Sequence, residues 1–286
     1  MIAVLKDCYR EGMTRALILL AAVGVLAGCG GGSSGPSAER TVVTGFYPLA
    51  WAVRQVASQD TEVVNLTPAG AEPHDLELTP RDVTAIRDAD LVVFVSGGFQ
   101  PAVEEAVAER DGSSLDVLDG LSDPHVWLDP SRFAEVVREI GAALGRPAAA
   151  AALADRLLAL DSELRRGLAA CDRHSIVTTH SAFGRFAARY GLTEIPLTGR
   201  SPEAEPTPRQ LQRIVERVRR SGATTVFTEP LVSDRLARTV AREADVEVAV
   251  LDPLEGLSEE RLAAGEDYLT VMRSNLSVLR EALGCR

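Results

Sequence analysis

Three of the four histidines in this chain stand far apart, each inside a short motif of its own. The motifs are Ala71-Glu72-Pro73-His74-Asp75, Asp123-Pro124-His125-Val126-Trp127-Leu128-Asp129-Pro130 and Thr178-Thr179-His180-Ser181-Ala182-Phe183-Gly184. Imidazole is the commonest neutral ligand for a transition metal. If His74, His125 and His180 converge, they form a nitrogen-rich site that lacks only a charged oxygen donor to close a four-ligand shell. His174, in Asp172-Arg173-His174-Ser175, has no comparable frame and is read as an ordinary polar residue.

The elements that must bring these loops together follow from the hydrophobic pattern. Short β-branched runs at 41–45, 62–66, 91–95 and 114–118 alternate with amphipathic stretches near 48–57, 81–89 and 102–110, the pattern of a parallel sheet built from βαβ units. The alternation resumes with strands at 175–178, 192–195, 224–227 and 247–251 and helices near 182–190, 208–221, 234–244 and 268–283. Thr79 before Pro80, with Asp82 three positions on, and Thr207 before Pro208, with Gln210 three positions on, mark helix starts with capping-box chemistry. Asp129 before Pro130 reads as a helix cap. Trp127 and Phe183 read as packing residues beside the histidine loops.

Between the two alternating halves, residues 147–170 carry Leu153, Leu157, Leu160, Leu164 and Leu168 at helical spacing. The fold class is therefore α/β: two similar parallel-sheet lobes, 41–146 and 171–286, joined by one long rigid helix over 147–170. All three histidines then fall just past the carboxyl ends of parallel strands, where open α/β sheets gather their binding loops. Asp252 occupies the same position after the last strand and is the expected fourth ligand. Glu229, after another strand, and Glu72, close to His74, are the alternatives, or supports for the ligands. Three imidazoles and one carboxylate suit Zn2+ and suit Mn2+ less well.

The N-terminus speaks to location. An apolar run from Ala16 to Leu26 follows Met13-Thr14-Arg15 and is too short to span a bilayer. Residues 1–28 read as a signal peptide with its true start at Met13. Leu26-Ala27-Gly28-Cys29 resembles a bacterial lipobox, so Cys29 is the expected lipidation site, with 29–40 as a flexible tether. The protein is thus expected outside the cytoplasm, anchored to the outer face of the cell membrane. Cys8 precedes the expected start, which leaves Cys171 and Cys285 to pair in an oxidising setting, two free thiols being the alternative. The formal net charge of −11 argues against nucleic acid, whose phosphates need clustered basic side chains.

At these motifs the chain resembles the solute-binding lipoproteins of zinc and manganese ABC transporters (cluster A-I), zinc branch. The resemblance covers everything after Thr41 and includes Phe46-Tyr47-Pro48-Leu49-Ala50, Ser201-Pro202-Glu203-Ala204-Glu205-Pro206, Phe227-Thr228-Glu229-Pro230 and Leu251-Asp252-Pro253 besides the histidine motifs. It implies His74, His125, His180 and Asp252 as ligands. A histidine at the third position is typical of the family's zinc binders, where manganese binders usually carry glutamate. It further implies a monomer that hands its metal to a cognate ABC permease and its ATPase, and no enzymatic activity. The histidine-rich acidic loop that many zinc members insert has no counterpart, since only Asp119 to Pro124 precede His125. Manganese or iron binding within the same family is the nearer alternative. A zinc hydrolase is the more distant one, because three histidines and a water can generate hydroxide. An adhesin or scaffold finds no exposed repeat or long aromatic patch to support it.

Overall fold

The computed structural model describes residues 40–286 except 119, 121 and 203–205. The proposed signal peptide, Cys29 and the rest of the tether up to residue 39 lie outside the described residues. Strand β1 already includes Arg40, which pairs with Thr61, so the sheet begins one residue before the boundary expected for the tether.

Two four-stranded parallel sheets carry the architecture. The first has β1 (Arg40–Thr44), β2 (Thr61–Asn65), β3 (Leu91–Phe94) and β4 (Ser114–Asp116) in the order β2-β1-β3-β4. The second has β5 (Ser175–Thr178), β6 (Thr193–Pro196), β7 (Thr225–Thr228) and β8 (Glu247–Val250) in the order β6-β5-β7-β8. In both, the chain steps outward from a central strand to one edge and then to the other. That reversal makes a crevice at the carboxyl ends.

Helices α1 (Tyr47–Val56), α2 (Pro80–Asp88) and α3 (Pro101–Ala108) connect the first sheet. Helices α6 (Gly184–Tyr190), α7 (Pro208–Ser221) and α8 (Arg235–Ala244) connect the second, followed by α9 (Glu259–Ala263) and α10 (Tyr268–Leu283). The capping boxes at Thr79 and Thr207 are both formed, with Asp82 and Gln210 as their third-position partners. Each satisfies two backbone N–H groups that the first helical turn leaves without partners.

The lobes are joined, as expected, by one long helix (Pro147–Gly167), which packs against the last helix of the first lobe. Helix α4 (Pro130–Leu144) starts at Asp129, whose Oδ1 accepts from the N–H groups of Ser131 at 2.9 Å and Arg132 at 3.2 Å. It ends at Gly145, in the left-handed conformation (φ 69°), and α5 (Pro147–Gly167) turns back against it. A side chain at Gly141 would collide with Ala150 Cβ, so glycine is what lets the two helices approach. At 21 residues α5 is about 32 Å long and stops at Gly167, short of the expected end at residue 170.

The main core runs through both lobes, from Phe46, Trp51 and Trp127 through Leu153, Leu157 and Leu160 to Phe186, Tyr268 and Leu279. Two smaller clusters fill the outer faces, around Val43, Val92 and Ile86 in the first lobe and Val177, Val226 and Val240 in the second. Cys171 and Cys285 are joined in a disulfide across a separation of 114 residues. In the chain-entropy model a loop of that length is worth on the order of 5 kcal/mol. Leu276, Leu279 and Leu283 bury the inner face of α10 beside it. Among the described residues no helix is long and apolar enough to cross a membrane.

Candidate metal centre

Each site residue sits on a loop that leaves the carboxyl end of a parallel strand. After β2 the chain passes through Thr67 to Pro73-His74. Gln100, buried at the start of α3, pins this loop by donating from Nε2 to Thr67 Oγ1 at 3.0 Å, to Pro73 O at 3.3 Å and to Gly45 O at 3.3 Å. After β4, His125 opens a 3-10 turn over Val126–Leu128. Asp123 Oδ1 accepts from both its backbone N–H at 3.1 Å and its Nδ1–H at 2.8 Å. After β5, His180 donates through its backbone N–H to Glu229 Oε1 at 3.2 Å and through Nδ1–H to the same carboxylate at 2.9 Å.

These ties hold the Nδ1–H tautomer of His125 and His180 and turn each Nε2 toward a common centre. The fourth group there is Glu255. Its Oε1 lies 3.2 Å from His180 Nε2, 3.4 Å from His74 Nε2 and 3.5 Å from His125 Nε2. One ligand atom from each of His74, His125, His180 and Glu255 lies within 4.8 Å of the others. His125 and His180 are fully buried, Glu255 is 2% exposed, and the His74 side chain is 8% exposed at the rim. Phe99 covers the His74 ring at 4.5 Å between centroids, and Trp127 lies 5.2 Å from the ring of His125.

The expectation that Asp252 completes this set is corrected. Asp252 is buried, but both of its oxygens are engaged elsewhere. Oδ1 accepts from the Leu254 N–H at 2.7 Å and Oδ2 from Arg261 Nη1 at 2.6 Å. After Pro253 the chain turns through Leu254, in the left-handed region at φ 57°, and it is the next side chain, Glu255, that enters the cleft. A reversal of that kind at a leucine leaves no mark in sequence, since propensity disfavours it. The available signal was an acidic residue inside the apolar stretch Leu254-Glu255-Gly256-Leu257. Of the alternatives, Glu229 orients His180, as described. Glu72 keeps Oε1 buried, without a hydrogen-bond partner and 4.0 Å from His74 Nε2. His174 is exposed, and Trp127 and Phe183 are core residues.

The electrostatics of the cluster are those of a carboxylate wrapped in imidazoles. Burial alone would disfavour the charged forms of all these groups. For Glu255 burial is outweighed by His180, His125 and His74, which hold its carboxyl well below the usual range. For His180 burial is outweighed by the charge of Glu255 and the hydrogen bond to Glu229, which raise the ring to about 11. His125 is raised against its own burial by Asp123 and Glu255. Burial pushes Glu229 up, and His180 opposes it. The pocket thus favours positive charge around one fixed negative oxygen. A divalent cation supplies that charge with fewer particles than protonated rings do. Three imidazole nitrogens and one carboxylate oxygen match the number and borderline-soft character of donors that zinc takes.

Fold and site together define a class: a two-lobed α/β binding protein with a buried three-histidine, one-carboxylate cation site between its parallel sheets. The chain belongs to the family described as zinc-uptake complex component A, periplasmic, whose model matches residues 42–282. It is 32% identical to the zinc-binding protein AdcA of Streptococcus pyogenes serotype M1 across 84% of this chain and 55% of that protein. The chain therefore spans about half the length of the streptococcal relatives it matches. It is 29% identical to the high-affinity zinc uptake system protein ZnuA of Bacillus subtilis (strain 168), across 91% of this chain and 94% of that one. Among solved structures, the Zn(II)-bound ZnuA-like domain of Streptococcus pneumoniae AdcA superposes with a TM-score of 0.73 at 33% identity, covering 85% of this chain and 98% of that chain. The laminin binding protein Lmb of Streptococcus agalactiae gives 0.77 at 30% identity, over 85% and 99% of the two chains.

Proposed function

We propose that this protein captures zinc outside the cytoplasm, as the cargo of an ABC transporter, and hands it to the cognate permease and its ATPase. The observation that carries the reading is the convergence of His74, His125 and His180 with Glu255 within 4.8 Å, on loops contributed by both lobes. Family membership supports transport, and the names of the zinc-binding relatives support the choice of ion.

Capture follows from the geometry. His74 and His125 belong to the first lobe and His180 and Glu255 to the second, so an ion bound by all four ties the lobes together. Asp123 and Glu229 keep two of the rings turned inward, which reduces the ordering cost of binding. Three neutral rings and one carboxylate leave a net charge of +1 around a divalent ion, and nitrogen donors favour zinc over the harder manganese. Release requires the ligands to separate, which opening of the lobes accomplishes without any covalent step. The protein acts as a monomer held at the membrane by lipid on Cys29 and performs no catalysis. The lipoprotein AdcA among the relatives supports the anchor.

Metal analysis of protein purified without added metal should find one zinc per chain. His125→Ala should weaken zinc binding by orders of magnitude and leave the fold intact. An unchanged zinc titration in that variant contradicts the reading, and ester or peptide hydrolysis that disappears in the same variant would favour an enzyme instead.

A further inference from the structure

The segment that delivers Glu255 is unusual in how it is held. Leu254 is fully buried and adopts φ 57°. The other non-glycine residue at positive φ among those described, Asp245, closes helix α8, where an aspartate tolerates the left-handed region. Leucine has no such local compensation, so the surrounding structure must impose the turn. Four contacts do so. Asp252 Oδ1 accepts the Leu254 N–H at 2.7 Å. Asn275, buried in α10, accepts from the Asp252 N–H at 3.0 Å and donates to the Asp252 carbonyl at 2.7 Å, standing in for a neighbouring strand. Trp127 Nε1–H, from the first lobe and two residues beyond His125, donates to the Pro253 carbonyl at 2.7 Å. Beyond Glu255, the Gly70 N–H of the first lobe donates to the Leu257 carbonyl at 3.0 Å.

We propose that Asp252 is a positioning residue which, together with Asn275 and Trp127, forces the left-handed turn at Leu254 and so presents Glu255 to the cation. Glu255 thus sits between two hydrogen bonds that cross from one lobe to the other, and it reaches the three rings only when the strap from Asp252 to Leu257 is seated against the first lobe. The inference rests on the zinc-capture reading and names the residues that set its charged ligand. Asp252 acts through the Leu254 N–H, not through the metal. That predicts a difference between two substitutions at one position: Asp252→Asn keeps an oxygen for the Leu254 N–H and gives up only the ion pair to Arg261, whereas Asp252→Ala removes both.

The test is a zinc competition titration of the full chain, with the visible spectrum of the cobalt-loaded form as a readout of ligand geometry. Asp252→Ala should lose about 10- to 100-fold in affinity, the range expected when a group behind a ligand is removed, and its cobalt bands should shift. Asp252→Asn should recover most of the affinity and the wild-type spectrum. Trp127→Phe, which keeps an aromatic ring but removes the donor to Pro253, should lose a few-fold, mainly through faster zinc release, and decides the matter alone if Asp252→Ala does not fold. Wild-type affinity and spectrum in both Asp252→Ala and Trp127→Phe would overturn the proposal. So would equal losses in Asp252→Asn and Asp252→Ala, the pattern expected if Asp252 itself bound the ion. Failure of the underlying zinc reading looks different: His125→Ala and Glu255→Ala would then titrate like the wild type.

Discussion

The two lobes contribute two ligands each, yet they hold them differently. In the second lobe His180 is gripped twice by the buried Glu229, and Glu255 hangs from a strap whose backbone groups are bonded to Asp252, Asn275 and Trp127. In the first lobe His125 is likewise gripped twice, by Asp123, but that carboxylate is 28% exposed and lies within its own motif. His74 stands at the rim, with Glu255 at 3.4 Å as its hydrogen-bond partner and Glu72 at 4.0 Å. The difference lies in burial: the groups behind the second-lobe ligands are buried, whereas Asp123 is partly solvated and His74 stands at the rim. On the zinc-capture reading, buried partners behind the ligands reduce the ordering cost of binding.

The largest effect expected from perturbing this comparison is at Glu229. Glu229→Ala frees the His180 ring and leaves its buried Nδ1–H without an acceptor, so zinc affinity in a competition titration should fall by about 100-fold. A loss under about threefold would mean that the second lobe is no better organised than the first. Next is pH. In the metal-free fold His180 is raised to about 11, so its ring carries a proton that zinc must displace, and His125 is raised in the same direction. The raised His180 pKa stabilises the metal-free fold fully below about pH 6.5, the ordinary histidine value, and this contribution fades as pH rises through the folded value. Zinc affinity should therefore increase from about pH 6 to 8, by up to about tenfold per unit for each proton displaced, and calorimetry in buffers of different ionisation enthalpy should register proton release. A flat profile with no released proton would contradict the electrostatic account.

Smaller effects are expected in the first lobe and in selectivity. Asp123→Ala should cost about tenfold at most, since its carboxylate is partly solvated and His125 is otherwise enclosed. A larger loss than in Glu229→Ala would invert the comparison. His180→Glu replaces a nitrogen donor by oxygen and should move the zinc-to-manganese affinity ratio toward manganese, although zinc still binds more tightly by the usual affinity order. Competition between the two ions in both proteins measures this. An unmoved ratio would show that geometry, not donor type, sets the preference.

Much of this arrangement was legible in sequence because it follows from local chemistry. Strand periodicity placed the histidine loops at the carboxyl ends of the sheets, the capping boxes at Thr79 and Thr207 announced α2 and α7, and the pairing of Cys171 with Cys285 followed from elimination. What escaped depended on contacts distant in sequence. The hairpin partner α4 was visible only through its Asp129 cap, because an amphipathic helix buried against another reads much like its neighbours. Glu255 was hidden by a turn that Leu254 would not choose alone and that Asn275 and Trp127 impose from elsewhere in the chain. Asp252 had the position of a ligand by strand-end logic, but Arg261, nine residues on, engages it.

The most direct test of the site is an anomalous difference map at the zinc absorption edge from crystals of the zinc-loaded protein. A single strong peak should lie about 2.0 to 2.2 Å from one nitrogen each of His74, His125 and His180 and from a Glu255 oxygen, with Asp252 still bonded to Arg261. A peak coordinated by Asp252, or one that leaves Glu255 outside bonding distance, would contradict the account.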